Sequence, residues 1–256
     1  MSIELGSREN GSREQYEGKG FVVVPSGLSP ETMEAIKGAG GPEQPEVYRY
    51  NKSGHRWFES WKVSQAVRDA VYAEPVVGMI RHLYDVEPRP FQTILFDRGS
   101  NQPLHEDAVH FDSHPRGRIV GVWLALEDMD LDNGPLCYVP GSQQKGFEGW
   151  QASGHPAVEV GAQEAEYRKY EAHLEKWYGP LKEPFVCKAG DAFVWGVDLL
   201  HGGWPVKDET RTRWSLVTHY FLPPLEYAFA PMFGTEEKPY RKSMRWFTKE
   251  GEVHTL

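Results

Sequence analysis

Apolar side chains in this chain fall in short runs, and the spacing within each run separates strand from helix. FVVVP (21–25) is a β-branched run that predicts a buried strand. Ser29-Pro30-Glu31 then opens a helix, with Ser29 as cap, Pro30 in the first turn and a glycine-rich stop at 38–41. Residues 64–73 and 76–84 predict two more helices, the second opened by Pro75. From residue 91 the character changes. FQTILF (91–96), RIVGVWLAL (118–126), PLCYV (135–139), PFVCK (184–188), DAFVWG (191–196) and RWSLVTHYF (213–221) all read as strands. Turn chemistry at 97–100, 132–135, 140–142, 190–191 and 202–203 divides them. One interruption is helical. Between 163 and 178, Tyr167, Tyr170, Leu174 and Trp177 form one helical stripe, read as a packing face, and Gly179-Pro180 ends it. Short strands broken by turns predict a mainly β sandwich or barrel, flanked by N-terminal helices.

At 256 residues the chain suits one domain of generous size, with no repeat or linker to divide it. Residues 1–15 are polar and are expected to be disordered, leaving 16–256 as a single domain with a helical insertion near 160–180. Nine Trp, twelve Tyr and twelve Phe predict a core and a cleft lined with rings. A net charge of −9 disfavours a nucleic-acid partner. Cys137 and Cys187 form no CxxC pair, and no secretory leader or bilayer-length apolar run is visible. The expectation is a soluble, cytoplasmic protein without a membrane partner.

The chemistry concentrates in QPLHEDAVHFD (102–112). On extended backbone, residues two apart share a face, so His105 and Asp107 would present an imidazole and a carboxylate together. His201 follows the apolar run at 191–196 and precedes Gly202-Gly203, where backbones can crowd. Two imidazoles and one carboxylate can hold iron(II) by one face and leave the other open. A second His-x-Asp pair, His110 and Asp112, competes, and His114 lies beside it. Spacing alone leaves that choice open.

Taken together, QPLHEDAVHF, VGVWLALED (120–128), NGPLCYVPGSQ (133–143), GDAFVWGVDLLHGG (190–203) and TRWSLVTHYF (212–221) resemble the phytanoyl-CoA dioxygenase family. That family belongs to the iron(II)- and 2-oxoglutarate-dependent oxygenases. The resemblance covers roughly residues 16 to 222 and implies a double-stranded β-helix, a jelly-roll variant. It selects His105, Asp107 and His201 as iron ligands over His110 and Asp112, which become neighbours of the site. It places Arg213 against the far carboxylate of 2-oxoglutarate, a role that suits a permanently charged, bidentate donor. Ser215, Trp123 and Gln92 are candidates for shaping the cosubstrate pocket.

The implied reaction hydroxylates a small organic molecule with dioxygen, converting 2-oxoglutarate to succinate and carbon dioxide. A carboxylate at Asp107, where halogenating relatives carry a small residue, favours hydroxylation. Desaturation or ring closure with the same cofactors is the alternative within this class. A non-catalytic metal-binding sandwich that senses a ligand is the alternative outside it. Two positions depart from the family pattern: Glu106 stands where Gln is common, and Gln143 where His is frequent. Tyr48, Arg49, Tyr50, His55, Arg56, Trp57 and Trp204 are candidates for a substrate cleft.

Overall fold

A computed structural model describes residues 2–41, 48–49, 55–144, 149–235 and 237–256 of the protein. The N-terminal part runs α1 (Ser2–Lys19), β1 (Phe21–Pro25), α2 (Pro30–Lys37), β2 (Tyr48–Arg49), β3 (Arg56–Phe58), α3 (Gln65–Val71) and α4 (Glu74–Tyr84). Next come β4 (Arg89–Phe96), β5 (Asp112–His114), β6 (Ile119–Ala125), β7 (Leu136–Tyr138), α5 (Gln163–Tyr178) and β8 (Glu183–Pro184). The chain closes with β9 (Asp191–Gly196), β10 (His201–Gly203), β11 (Ser215–Phe221), β12 (Tyr227–Phe229), β13 (Arg241–Lys242), β14 (Arg245–Phe247) and β15 (Val253–Thr255).

Seven strands form one antiparallel sheet in the order β1-β9-β6-β11-β4-β3-β2. Two three-stranded sheets, β10-β7-β8 and β13-β12-β5, and the β14-β15 hairpin complete the β structure. Alternation along the central strands divides the core. Val120, Val122 and Leu124 of β6 point with Ala192 and Val194 of β9 toward the helices, where Ile36, Val67 and Ile80 are buried. Trp123, Ala125, Phe193 and Trp195 point the other way, into a second cluster with Leu136, Tyr138 and Phe185. Both faces are therefore covered at the centre of this sheet, which is why β6 and β9 read as continuous apolar runs rather than as alternation.

Most of the expected elements form within a few residues of the sequence reading. Ser29 caps α2 by accepting from the Thr32 N–H, and Pro75 lies in the first turn of α4. Four differences have physical causes. First, the polar segment expected to be loose is helical as α1; Tyr16 and Tyr84 share a 2.6 Å hydroxyl contact that ties its last turns to α4. Second, of the 184–188 run only Pro184 is in a strand; Cys187 makes a single bridge to Met129. Third, the α5 stripe is buried at Tyr170 and Leu174, but Trp177 is 59% exposed, so the packing face ends one turn early. Fourth, β12 to β15 lie beyond the last predicted strand; two or three residues each are too few to show a period. Among the described residues, no helix is long and apolar enough to cross a membrane.

Candidate metal centre and active-site cavity

The HxD segment is not a regular strand. His105 makes an isolated antiparallel bridge with His201, their backbones exchanging two hydrogen bonds of 2.9 Å. Glu106 is extended (φ −110, ψ 146), and Asp107 opens a single 3-10 turn. One extended residue between them suffices to send both flanking side chains the same way. His201 begins β10, and the glycine after it allows the approach: a β-carbon on Gly202 would lie 2.8 Å from the Gln102 carbonyl oxygen.

The three side chains converge. Ligand atoms of His105, Asp107 and His201 all lie within 4.8 Å of one another, and all three residues are buried. Among the described residues this is the one His/Cys/Asp/Glu group with metal-binding spacing. His105 Nδ1 lies 2.9 Å from the Pro103 carbonyl, and His201 Nδ1 2.9 Å from that of Leu199. A carbonyl only accepts, so each Nδ1 carries the proton and each Nε2 keeps a free lone pair. This is the usual way a ligating imidazole is oriented.

Asp107 is held from behind. Trp195 Nε1–H donates to its Oδ2 at 3.1 Å, and His219 Nε2–H donates to the same oxygen at 3.2 Å. Trp195 reaches it because Gly121, opposite on β6, has no side chain; a β-carbon there would come within 2.4 Å of the indole. Burial by itself would raise the Asp107 carboxyl, but the His201 and His219 imidazoles outweigh it and hold it below the usual carboxylate range. Burial, aided by His201, pushes His105 down to about 3, so it is neutral and available as a ligand at neutral pH.

These residues line a cavity of about 760 Å³. Arg213 lies in its wall, 2% exposed, between the rings of Phe96 and Trp123, each 5.6 Å from the guanidinium carbon. Its hydrogen bonds go to neutral oxygens: the Gly134 carbonyl at 3.1 Å and the Ser215 hydroxyl at 2.6 Å. Burial, with Arg56 nearby, lowers it to about 10, which still leaves it charged at neutral pH. Gln92 also lines the cavity, from β4 opposite His219.

The competing pair separates. His110 lines the cavity and meets Tyr167 of α5 at 3.1 Å, whereas Asp112 turns away, with Arg116 Nε 2.8 Å from its Oδ2. His114 stacks on Tyr227 of β12. Of the cleft candidates, Arg56 lines the cavity, while Trp57 is core and stacks on Trp214. His55 is exposed and contacts Asp97 at 2.9 Å, and Trp204 packs against the cluster around Trp150. Tyr50 lies outside the described residues, and Tyr48 and Arg49 are described by backbone alone.

Sequence reasoning gave no role to Trp195 and His219. A signal existed. Ser215, Val217 and His219 alternate along β11 in step with Arg213 just ahead of it, so an Arg facing the cavity places His219 on the same face.

Residues 16–212 match the sequence profile of the phytanoyl-CoA dioxygenase (PhyH) family. The chain belongs to that family. The matched stretch ends one residue before Arg213. Phytanoyl-CoA dioxygenase domain-containing protein 1 of Danio rerio is 48% identical over 107 residues, which cover 40% of this chain and 36% of that protein. The Mus musculus protein of the same name is 34% identical over 106 residues, 40% of this chain and 35% of its own length. The similarity thus spans only about a third of each relative. Among solved structures, the non-heme alpha-ketoglutarate-dependent carbocyclase SnoK from nogalamycin biosynthesis superposes with a TM-score of 0.65 at 15% identity, covering 87% of this chain and 86% of that one. EctD from S. alaskensis, solved with 2-oxoglutarate and 5-hydroxyectoine, gives 0.61 at 19% identity, over 89% and 79%. At such identities these likenesses establish the fold, a jelly-roll core.

Proposed function

We propose that this family member is an iron(II)- and 2-oxoglutarate-dependent dioxygenase that hydroxylates a small organic molecule. The observation that carries this reading is one cavity holding both a buried His-Asp-His cluster and a buried arginine bonded only to neutral oxygens. The donor set fits the metal: two imidazole Nε2 atoms and a carboxylate suit ferrous iron and occupy one face of it. Among the described residues Arg213 has no carboxylate partner, so a dicarboxylate cosubstrate supplies the missing anion. Residues 16–256 would act as one catalytic domain. Its C-terminal part is consistent with this, since Phe247 is buried and stacks on Trp61 at 4.1 Å.

In this reading His105, Asp107 and His201 hold the metal, and Trp195 and His219 orient Asp107. Arg213 takes the far carboxylate of 2-oxoglutarate, steadied by Ser215 and by the rings of Trp123 and Phe96. Gln92 offers the neighbouring polar contact. Ferrous iron with 2-oxoglutarate and dioxygen supplies the oxidising chemistry, with succinate and carbon dioxide leaving. The aromatic wall of Phe111, Trp123 and Trp195 excludes water from that chemistry.

Anaerobic addition of iron(II) and 2-oxoglutarate tests the reading. A metal-to-ligand charge-transfer absorption is expected in the native protein and absent in His201→Ala and Asp107→Ala. Metal-loaded native protein without that absorption would count against it. Screening metabolites for succinate release then finds the substrate. Product mass separates hydroxylation, a gain of one oxygen, from desaturation or ring closure, a loss of two hydrogens.

A further inference from the structure

The wall of the metal cavity includes Lys242 of β13, and the register of the small β13-β12-β5 sheet explains how it gets there. Arg241, opposite Phe229, lays its guanidinium over the Tyr227 ring at 4.5 Å, on the face where His114 stacks on the same ring. Side chains alternate along a strand, so Lys242 leaves by the other face. Its partner there is Ala228, buried in a cluster with Phe111, which itself lines the metal cavity. Within the cavity the Lys242 charge acts on the His110 imidazole.

The acids that α5 adds to this wall are matched by a cation of the same helix. Glu164 accepts from Arg168 Nη2 at 2.8 Å, and the Arg168 charge also acts on Glu171. Lys242 has no such counter-charge among the described residues. Its side chain is exposed at the rim, yet the cavity wall strips water from the ammonium and pushes it below its ordinary value, with no carboxylate acting to raise it. A partly desolvated cation gains from an anion delivered by a ligand. An ammonium is a compact point charge, suited to one carboxylate, whereas a phosphate dianion draws several donors at once. Glu164 and Glu171 on the same wall also oppose a second negative charge. A few polar groups on a largely apolar wall are what orients a small ligand, and Phe111 and Tyr167 supply apolar wall here.

We propose that Lys242 determines substrate specificity, binding the carboxylate of an amphipathic organic acid whose apolar body lies against Phe111 and Tyr167. This inference rests on the proposed oxygenase function, which makes the metal cavity the substrate site.

Calorimetric titration with 3-phenylpropanoate, against its uncharged amide as matched probe, tests it on the full chain. Cobalt(II) and 2-oxoglutarate are present at saturation, so that Arg213 is already occupied. Saturable binding is expected, about fivefold or more tighter for the acid than for the amide. Lys242→Met should abolish that preference and leave amide affinity as in the native protein, whereas Lys242→Arg should keep it. Because the side chain is exposed, both variants should fold, as circular dichroism would check. Absence of saturable acid binding, equal affinity for acid and amide, or a preference that survives in Lys242→Met would each overturn the proposal. The iron(II)/2-oxoglutarate absorption reads the oxygenase function separately. Its presence with equal binding of acid and amide overturns the Lys242 assignment alone. Its absence with a preference that needs Lys242 overturns the oxygenase reading and supports the anion site.

Discussion

Asp107 illustrates how one carboxylate is shaped by residues far away in sequence. His219 lies 112 positions downstream and donates to it, and Trp195 does so from another strand. Removing the His219 donor while keeping bulk, as in His219→Leu, should weaken metal binding by roughly 10- to 100-fold with little change in folding. His219→Gln, which retains an N–H, should recover most of that loss. Titration with cobalt(II), followed by absorption, reads both variants, and native affinity in His219→Leu would dismiss the role. Asp112 makes a different prediction. Burial raises it to about 6 from an ordinary 3.8, so the folded protein keeps a proton that the unfolded chain has released. Its contribution to stability is complete below the lower value and is lost as pH rises through the upper one, by on the order of 3 kcal/mol. Asp112→Asn should lack that slope, as denaturant unfolding across the window would measure.

The strands were the most legible elements, because each central strand is buried on both faces and reads as an unbroken apolar run. VGVWLAL and DAFVWG needed no partner to be recognised, and FVVVP, at the sheet edge with Val23 exposed, was legible from its β-branched run. The HxD segment was harder, since its bridge to β10 is long-range and leaves no local period. Glycines show how elements fit one another. Gly121 is ordinary within β6, yet its missing side chain makes room for the Trp195 indole. Gly121→Ala should therefore cost about 1–3 kcal/mol by overpacking. It should also lower metal affinity by displacing the indole from Asp107. Thermal unfolding and cobalt titration would check the two effects separately, and native values for both would refute the coupling.

Across the whole molecule, the candidate centre joins parts that the chain order keeps apart. His201 belongs to the small β10-β7-β8 sheet, His105 bridges to it, and His219 and Trp195 reach in from the seven-stranded sheet. A ligand that binds only this assembled arrangement stabilises the fold by mass action. Cobalt(II) with 2-oxoglutarate at 100 times the dissociation constant should add about 2.7 kcal/mol. Differential scanning calorimetry should record a higher Tm, reversed by chelator and absent in His201→Ala. An unchanged Tm at saturation would mean that the metal does not bridge these parts.

Residue types and order were sufficient to read a mainly β architecture, an N-terminal helical layer and a set of candidate metal-binding side chains. Strand faces and turn chemistry are local properties, and the family motifs recur at recognisable spacing. The choice between His105/Asp107 and His110/Asp112 rested on that resemblance, because two identical spacings carry no preference. Folding separates them physically: the β10 bridge turns the first pair into the cavity, while Arg116 draws Asp112 away. The same extended residue turns Glu106 the other way, onto the Tyr170 hydroxyl of α5, and that could not be read locally. Which groups meet a side chain depends on contacts between distant strands, and sequence order does not record them.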